Sequence, residues 1–134
     1  MPTFGPASKK QFDTLDPRLQ EILSEAIKLI DFTIVEGFRG KEAQNIAYAK
    51  GYSQKKWPDG NHNKNPSLAA DVMPYPVNWS DASRNMARVG YLQGVIFTIA
   101  KQLGIPIRQG MDFNQNGNFS DDGFFDAPHM EIIL

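Results

Sequence analysis

The sequence predicts an α+β fold, a small antiparallel sheet flanked by helices, and three observations carry that expectation. An apolar stripe at helical spacing runs through residues 15–30. Short β-prone runs recur at residues 32–35, 68–73 and 130–134. Helices and strands alternate without regular βαβ spacing. With 134 residues, 41% of them hydrophobic and 22% charged, the chain suffices for one domain over residues 1–134 with its own core.

Taken in order, Asp16 is placed to cap a helix and Pro17 suits its first position. Leu19, Ile22, Leu23, Ala26, Ile27 and Ile30 then form its buried stripe. Residues 32–35 read as a strand ending at Glu36-Gly37, and residues 41–50 as a helix stopped by Gly51. Residues 52–66 hold Gly60, two prolines, three asparagines and one aspartate, the composition of a long loop. In residues 68–73, Leu68, Ala70 and Val72 share one face, with Ala69, Asp71 and Met73 on the other. Ser80 is the expected cap of a helix reaching Leu103 and closed by Gly104, with Gly90 and Gly94 read as points of close backbone packing. A terminal strand over residues 130–134 puts His129, Glu131 and Ile133 on one side.

Composition narrows the chemistry. A formal charge of −1 gives no reason to expect nucleic acid. The absence of cysteine excludes disulfides, a thiolate nucleophile, iron–sulfur clusters and a Cys-ligated zinc. Residues 1–10 lack the order of a secretory signal, and no apolar run approaches the ~20 residues that span a bilayer. The expectation is a monomer made in the cytoplasm, without membrane insertion.

Only two histidines are present, and both sit near carboxylates: His62 nine residues before Asp71, and His129 three after Asp126. Two imidazoles and one carboxylate can hold a hydrolytic zinc while leaving a position for water. Asp71, flanked by Ala69, Ala70 and Val72, is poorly explained as a solvated charge; metal binding competes with a salt bridge to Arg39 or Lys64. Asp126 is a candidate general base, with Glu131 as its rival or as a partner orienting an imidazole. Arg39, just past a strand, reads either as a clamp for a carboxylate or oxyanion or as a surface ion pair.

Together, Gly37-Phe38-Arg39 with Gln44, His62…Ser67-Leu68-Ala69-Ala70-Asp71 and Asp126-Ala-Pro-His129 resemble the zinc DD-carboxypeptidase/VanY-type peptidases of the DD-peptidase/hedgehog-like fold. Within these they are most similar to single-domain phage endolysins that cleave L-alanyl-D-glutamate bonds. The resemblance spans residues 4–134. It implies zinc at His62, Asp71 and His129, a base at Asp126, Arg39 stabilising substrate or transition state, and Gln44 near the substrate. It also implies a peptidoglycan stem as partner, and an endolysin held in the host cytoplasm until lysis releases it to the wall. The family phrase is Ser-x-His-x-x-Gly-x-Ala-x-Asp; here Gly60 and Ser67 replace its serine and glycine, and the longer His-to-Asp step implies a loop insertion after His62.

Two alternatives stand beside this: a D-Ala-D-Ala carboxypeptidase or dipeptidase, and a non-catalytic calcium- or wall-binding module. Calcium enters because Asp112, Asn114, Asn116, Gly117 and Asn118 match the start of an EF-hand loop. Gly123 stands where the bidentate glutamate belongs, so Asp121 or Asp122 would have to complete the sphere. An Asn/Gly-rich turn explains the same residues.

Overall fold

A computed structural model describes residues 2–119 and 125–134. The chain runs α1 (Pro6–Phe12), α2 (Pro17–Ala26), β1 (Phe32–Glu36), α3 (Lys41–Ala49), a 3₁₀ turn (Asn61–Asn63), β2 (Ala69–Pro74), α4 (Ser83–Leu103), β3 (Ile107–Gln109) and β4 (His129–Ile132). The strands form one antiparallel sheet in the order β1-β2-β4-β3. This is the α+β architecture the sequence predicts.

The amphipathic pattern decides which face of the sheet is dry. Leu19, Ile22 and Leu23 of α2 and Leu92 and Ile96 of α4 pack against Ile34, Val72, Met130 and Ile132. Each such fully buried side chain contributes about 1.5–3 kcal/mol. Ala70 and Val72 belong to this core, so the alternation of β2 turns Asp71 to the opposite face. On β4 the same alternation sends Met130 and Ile132 inward, and His129 and Glu131 to the face of Asp71.

Local chemistry sets the helix ends. The Asp16 side chain accepts from the Arg18 backbone N–H at 2.9 Å and also from its guanidinium. That guanidinium holds the Asp16 carboxyl below the usual carboxylate range. Asp16→Ala is therefore expected to cost about 1 kcal/mol in thermal melting. The loss should be full above the ordinary carboxylate pKa and should vanish as acid protonates the wild-type cap. Gly104 closes α4 with φ 69°, a left-handed conformation that favours glycine.

Four details depart from the sequence reading. Helix α1 and strand β3 are additional. Ser80 does not cap α4, whose N-cap is Ala82; the Ser80 carbonyl instead accepts from Asn85. Gly90 and Gly94 mark no close packing, since a Cβ at Gly94 would meet nothing within 4 Å and one at Gly90 only Met111 at 3.7 Å. Helix α1 covers the exposed edge of β1: Ser8 Oγ accepts from the Ile34 N–H, and Gln11 Oε1 from the Gly37 N–H. It thereby fixes where Gly37-Phe38-Arg39 leaves the sheet.

Candidate metal centre and active-site cleft

Asp71 and His129 face each other as cross-strand partners of β2 and β4. A register shift between Ile34 and Glu36 brings Glu36 opposite Asp71 on the other side. The long loop folds back so that its 3₁₀ turn delivers His62 to this same face. His62 Nε2 and His129 Nδ1 each lie 3.3 Å from Asp71 Oδ1, and ligand atoms of the three residues lie within 4.8 Å of one another. The group could hold a metal ion. His62 Nε2 and Asp71 Oδ1 are buried, and among the described residues neither has a hydrogen-bond partner. Orphaned buried acceptors are costly, and a shared cation would satisfy both.

The outward nitrogens are already committed. His62 Nδ1 donates to the Gly37 carbonyl at 2.7 Å, which leaves Nε2 as the nitrogen facing Asp71. His129 Nε2 donates to Glu131 Oε1 at 2.7 Å, which leaves Nδ1 facing the same point. Glu131 Oε2 in turn accepts from Arg108 Nη2 and Nε at 2.9 and 3.2 Å. Arg108 has no counterpart in the sequence reading, because only the pairing of β3 with β4 places it beside Glu131.

Electrostatics separates the carboxylates. Burial alone would raise the Asp71 pKa, yet the imidazoles of His62 and His129 hold it well below the usual range. Burial also opposes ionisation of Glu131, but its bonds to His129 and Arg108 bring its pKa down to about 2. For Asp126 burial, reinforced by the charge of Asp71, outweighs the opposing charges of His129, His62 and Arg39 and pushes it up to about 6. Its Oδ2 lies 3.8 Å from His129 Nδ1. Gly110 makes this placement feasible, because the Asp126 N–H donates to the Gly110 carbonyl and a Cβ at Gly110 would collide with the Asp126 backbone.

Arg39 is not a surface ion pair, since its side chain is only 12% exposed. Nε bonds Glu36, Nη1 donates to Gln44 Oε1 at 3.0 Å, and Nη2 stands 3.7 Å from Asp71 Oδ2. Lys64 instead donates to the Pro58 carbonyl. Gln44 is buried, and its amide is engaged by the protein: Oε1 accepts from Arg39 and Asn63, while Nε2 donates to Ser53 Oγ and the Lys55 carbonyl. Those bonds tie α3, the following loop and the His62 turn to Arg39. Gln44, expected near the substrate, lines the cleft and also serves as this structural tie.

The acidic loop shows the contacts of a turn. Asp112 accepts from the Asn116 and Gly117 N–H groups, Asn114 from Asn116, and Asn116 from Asn118. Asp121, Asp122 and Gly123 lie outside the described residues, and calcium gains no support.

The metal group lies in an open cleft of about 1370 Å³ whose walls include Arg39, Tyr52, Lys55, Trp79, Arg108 and Asp126. The family described as "Phage L-alanyl-D-glutamate peptidase" matches residues 2–133. The L-alanyl-D-glutamate peptidase of Escherichia phage T5 is 33% identical over 144 aligned positions, covering 97% of each chain. The crystal structure of the Serratia marcescens L-Ala D-Glu endopeptidase ChiX superposes with a TM-score of 0.72 at 21% identity, over 97% of this chain and 89% of that one. That structural likeness supports the fold, while the matched family and the phage relative carry membership: the chain belongs to the phage L-alanyl-D-glutamate peptidase family.

Proposed function

We propose that residues 1–134 form one zinc-dependent peptidoglycan peptidase unit that hydrolyses the L-Ala–D-Glu bond of the stem peptide. The observation that carries the metal assignment is the pair of orphaned buried atoms, His62 Nε2 and Asp71 Oδ1, with His129 Nδ1 beside them. Two imidazoles and one carboxylate suit a hydrolytic zinc, and the carbonyl and carboxylate behind the imidazoles fix their tautomers. The substrate assignment is supported by the name of the phage relative.

Zinc held by His62, Asp71 and His129 would supply Lewis acidity to the scissile carbonyl and the attacking water. Asp126, whose Oδ2 lies 3.8 Å from His129 Nδ1, takes the proton from that water and returns it to the leaving D-Glu amine. Arg39 presents a pre-oriented guanidinium beside the metal ligands and stabilises the developing oxyanion. Gln44 and Glu36 hold that guanidinium in place. Arg39→Ala is expected to lower kcat by about 10²–10³ with metal content retained, and Arg39→Lys to recover only part, since an ammonium cannot keep both neighbours. Steady-state kinetics alongside metal analysis checks this.

Among the described residues no helix is long and apolar enough to cross a membrane. The proposed setting is an endolysin acting as a monomer, held in the host cytoplasm until it reaches the wall. Digestion of purified muropeptides with and without chelator tests the function. Loss of the whole stem after L-Ala supports the endopeptidase; release of free D-alanine would assign a carboxypeptidase instead.

A further inference from the structure

The charge of this chain is segregated. Residues 39–64 contain six Lys or Arg and two Asp or Glu, whereas the whole chain carries −1, so the remainder is clearly acidic. This basic stretch is a lobe beside the cleft, made of α3 and the loop that follows it. Among the described residues Lys50, Lys55, Lys56 and Lys64 form no ion pair. The lobe also exposes aromatic rings: Tyr52 is 70% and Tyr48 41% exposed, with the Lys56 ammonium 5.0 Å from the Tyr48 ring centre. Tyr52 and Lys55 reach the cleft wall, and the bonds of Gln44 to Ser53 and the Lys55 carbonyl fasten the lobe to Arg39.

On the peptidase reading the positions of Asp126 and Arg39 give the substrate a direction relative to this lobe. Asp126, which returns a proton to the leaving amine, is bonded to Gly110 just past β3, at one edge of the sheet. Arg39 and α3 follow β1, at the other edge. With the leaving amine at Asp126, the acyl half of the substrate, L-Ala, would lie on the side of the lobe. In peptidoglycan the L-Ala nitrogen is joined to the lactyl group of N-acetylmuramic acid, so a sugar lies one residue from the scissile bond. Flanking stems on the same glycan bring carboxylates close by.

Resting on the peptidase reading, we propose that the α3–loop lobe is the docking surface for the glycan strand. Tyr52 stacks on the sugar that carries the stem under attack, and Lys50, Lys56 and Lys64 pair with carboxylates of neighbouring stems. Exposed rings suit the apolar faces of sugars, and unpaired exposed ammonium groups give a salt-sensitive attraction to a polyanionic mesh.

The test uses the zinc-loaded full chain on two soluble substrates with the same stem. One carries the N-acetylglucosamine–N-acetylmuramic acid disaccharide and the other begins at L-Ala. Tyr52→Ala is expected to reduce the preference in kcat/KM for the sugar-bearing substrate roughly fivefold, through KM, and Tyr52→Phe to restore it. Co-sedimentation of the metal-free chain with purified sacculi should weaken with salt and fall strongly in K50E/K56E/K64E. An unchanged preference, or sedimentation equal in wild type and the triple variant, overturns the proposal and leaves the lobe to another occupant such as a second copy of the chain. If wild type cleaves neither substrate, the peptidase reading fails, and the metal-free sedimentation decides separately whether the lobe binds the wall.

Discussion

Stripping the metal is expected to abolish stem-peptide hydrolysis and to lower the melting temperature by on the order of 10 °C, both restored by about one zinc per chain. Metal at a thousandfold excess over its Kd adds about 4 kcal/mol to the folded state, which fixes the scale of the shift. The effect should depend on pH. In the metal-free chain burial disfavours a charged His129, but the adjacent Asp71 carboxylate, its bond to Glu131 and the charge of Asp126 outweigh this and raise its pKa from 6.5 to about 10. A raised folded pKa stabilises fully below the unfolded value and is lost as pH climbs through the folded one. The metal-free chain should thus melt progressively lower from pH 6.5 towards 10. Zinc must displace that proton, so its affinity rises with pH and the gap between loaded and stripped melting curves widens. Identical curves with and without chelator would sink the metal assignment.

How much of this was readable in advance depended on whether the signal was local. The α2 stripe and its Asp16-Pro17 start are local, as is the alternation that turns Asp71 away from Val72, and all three stand in the structure. Strand β3 contains Ile107, Arg108 and Gln109, a run with no strand signature, and it exists because β4 pairs with it. Arg108 could not be tied to the site for the same reason. Helix α1 is a single short segment without an apolar stripe, and its role is to cover the edge of β1. His62 and Asp71 could be nominated from residue type, but their approach depends on the Gly37 carbonyl and the Asn63 amide folding the long loop inward. The family resemblance implies that Gln44 lies near the site, whereas its buried bonds to Arg39 and Asn63 appear only in three dimensions.

The sequence also left two carboxylates competing as base, and the geometry separates them into different expected phenotypes. Glu131 is bound to His129 Nε2 at 2.7 Å and to Arg108, so its lone pairs are engaged and its affinity for a proton is low. A carboxylate in that state is a poor proton acceptor and a good orienting partner. Asp126 lies beside the proposed ligands with no such bonds to imidazole and guanidinium among the described residues, and in the metal-free chain burial and Asp71 raise its affinity for a proton. Asp126→Asn should therefore lower kcat by about 10²–10⁴ while zinc affinity stays close to wild type. Glu131→Gln should show the reverse, a zinc affinity weakened about 10–100-fold with turnover per bound zinc largely kept. Arg108→Ala should shift zinc affinity in the same direction by a smaller factor, because it acts on His129 only through Glu131. Metal titration by competition with a chromogenic chelator, paired with kcat per bound zinc, separates the two roles. Should Asp126→Asn lose zinc while Glu131→Gln loses turnover at full occupancy, the assignments of base and orienting partner exchange.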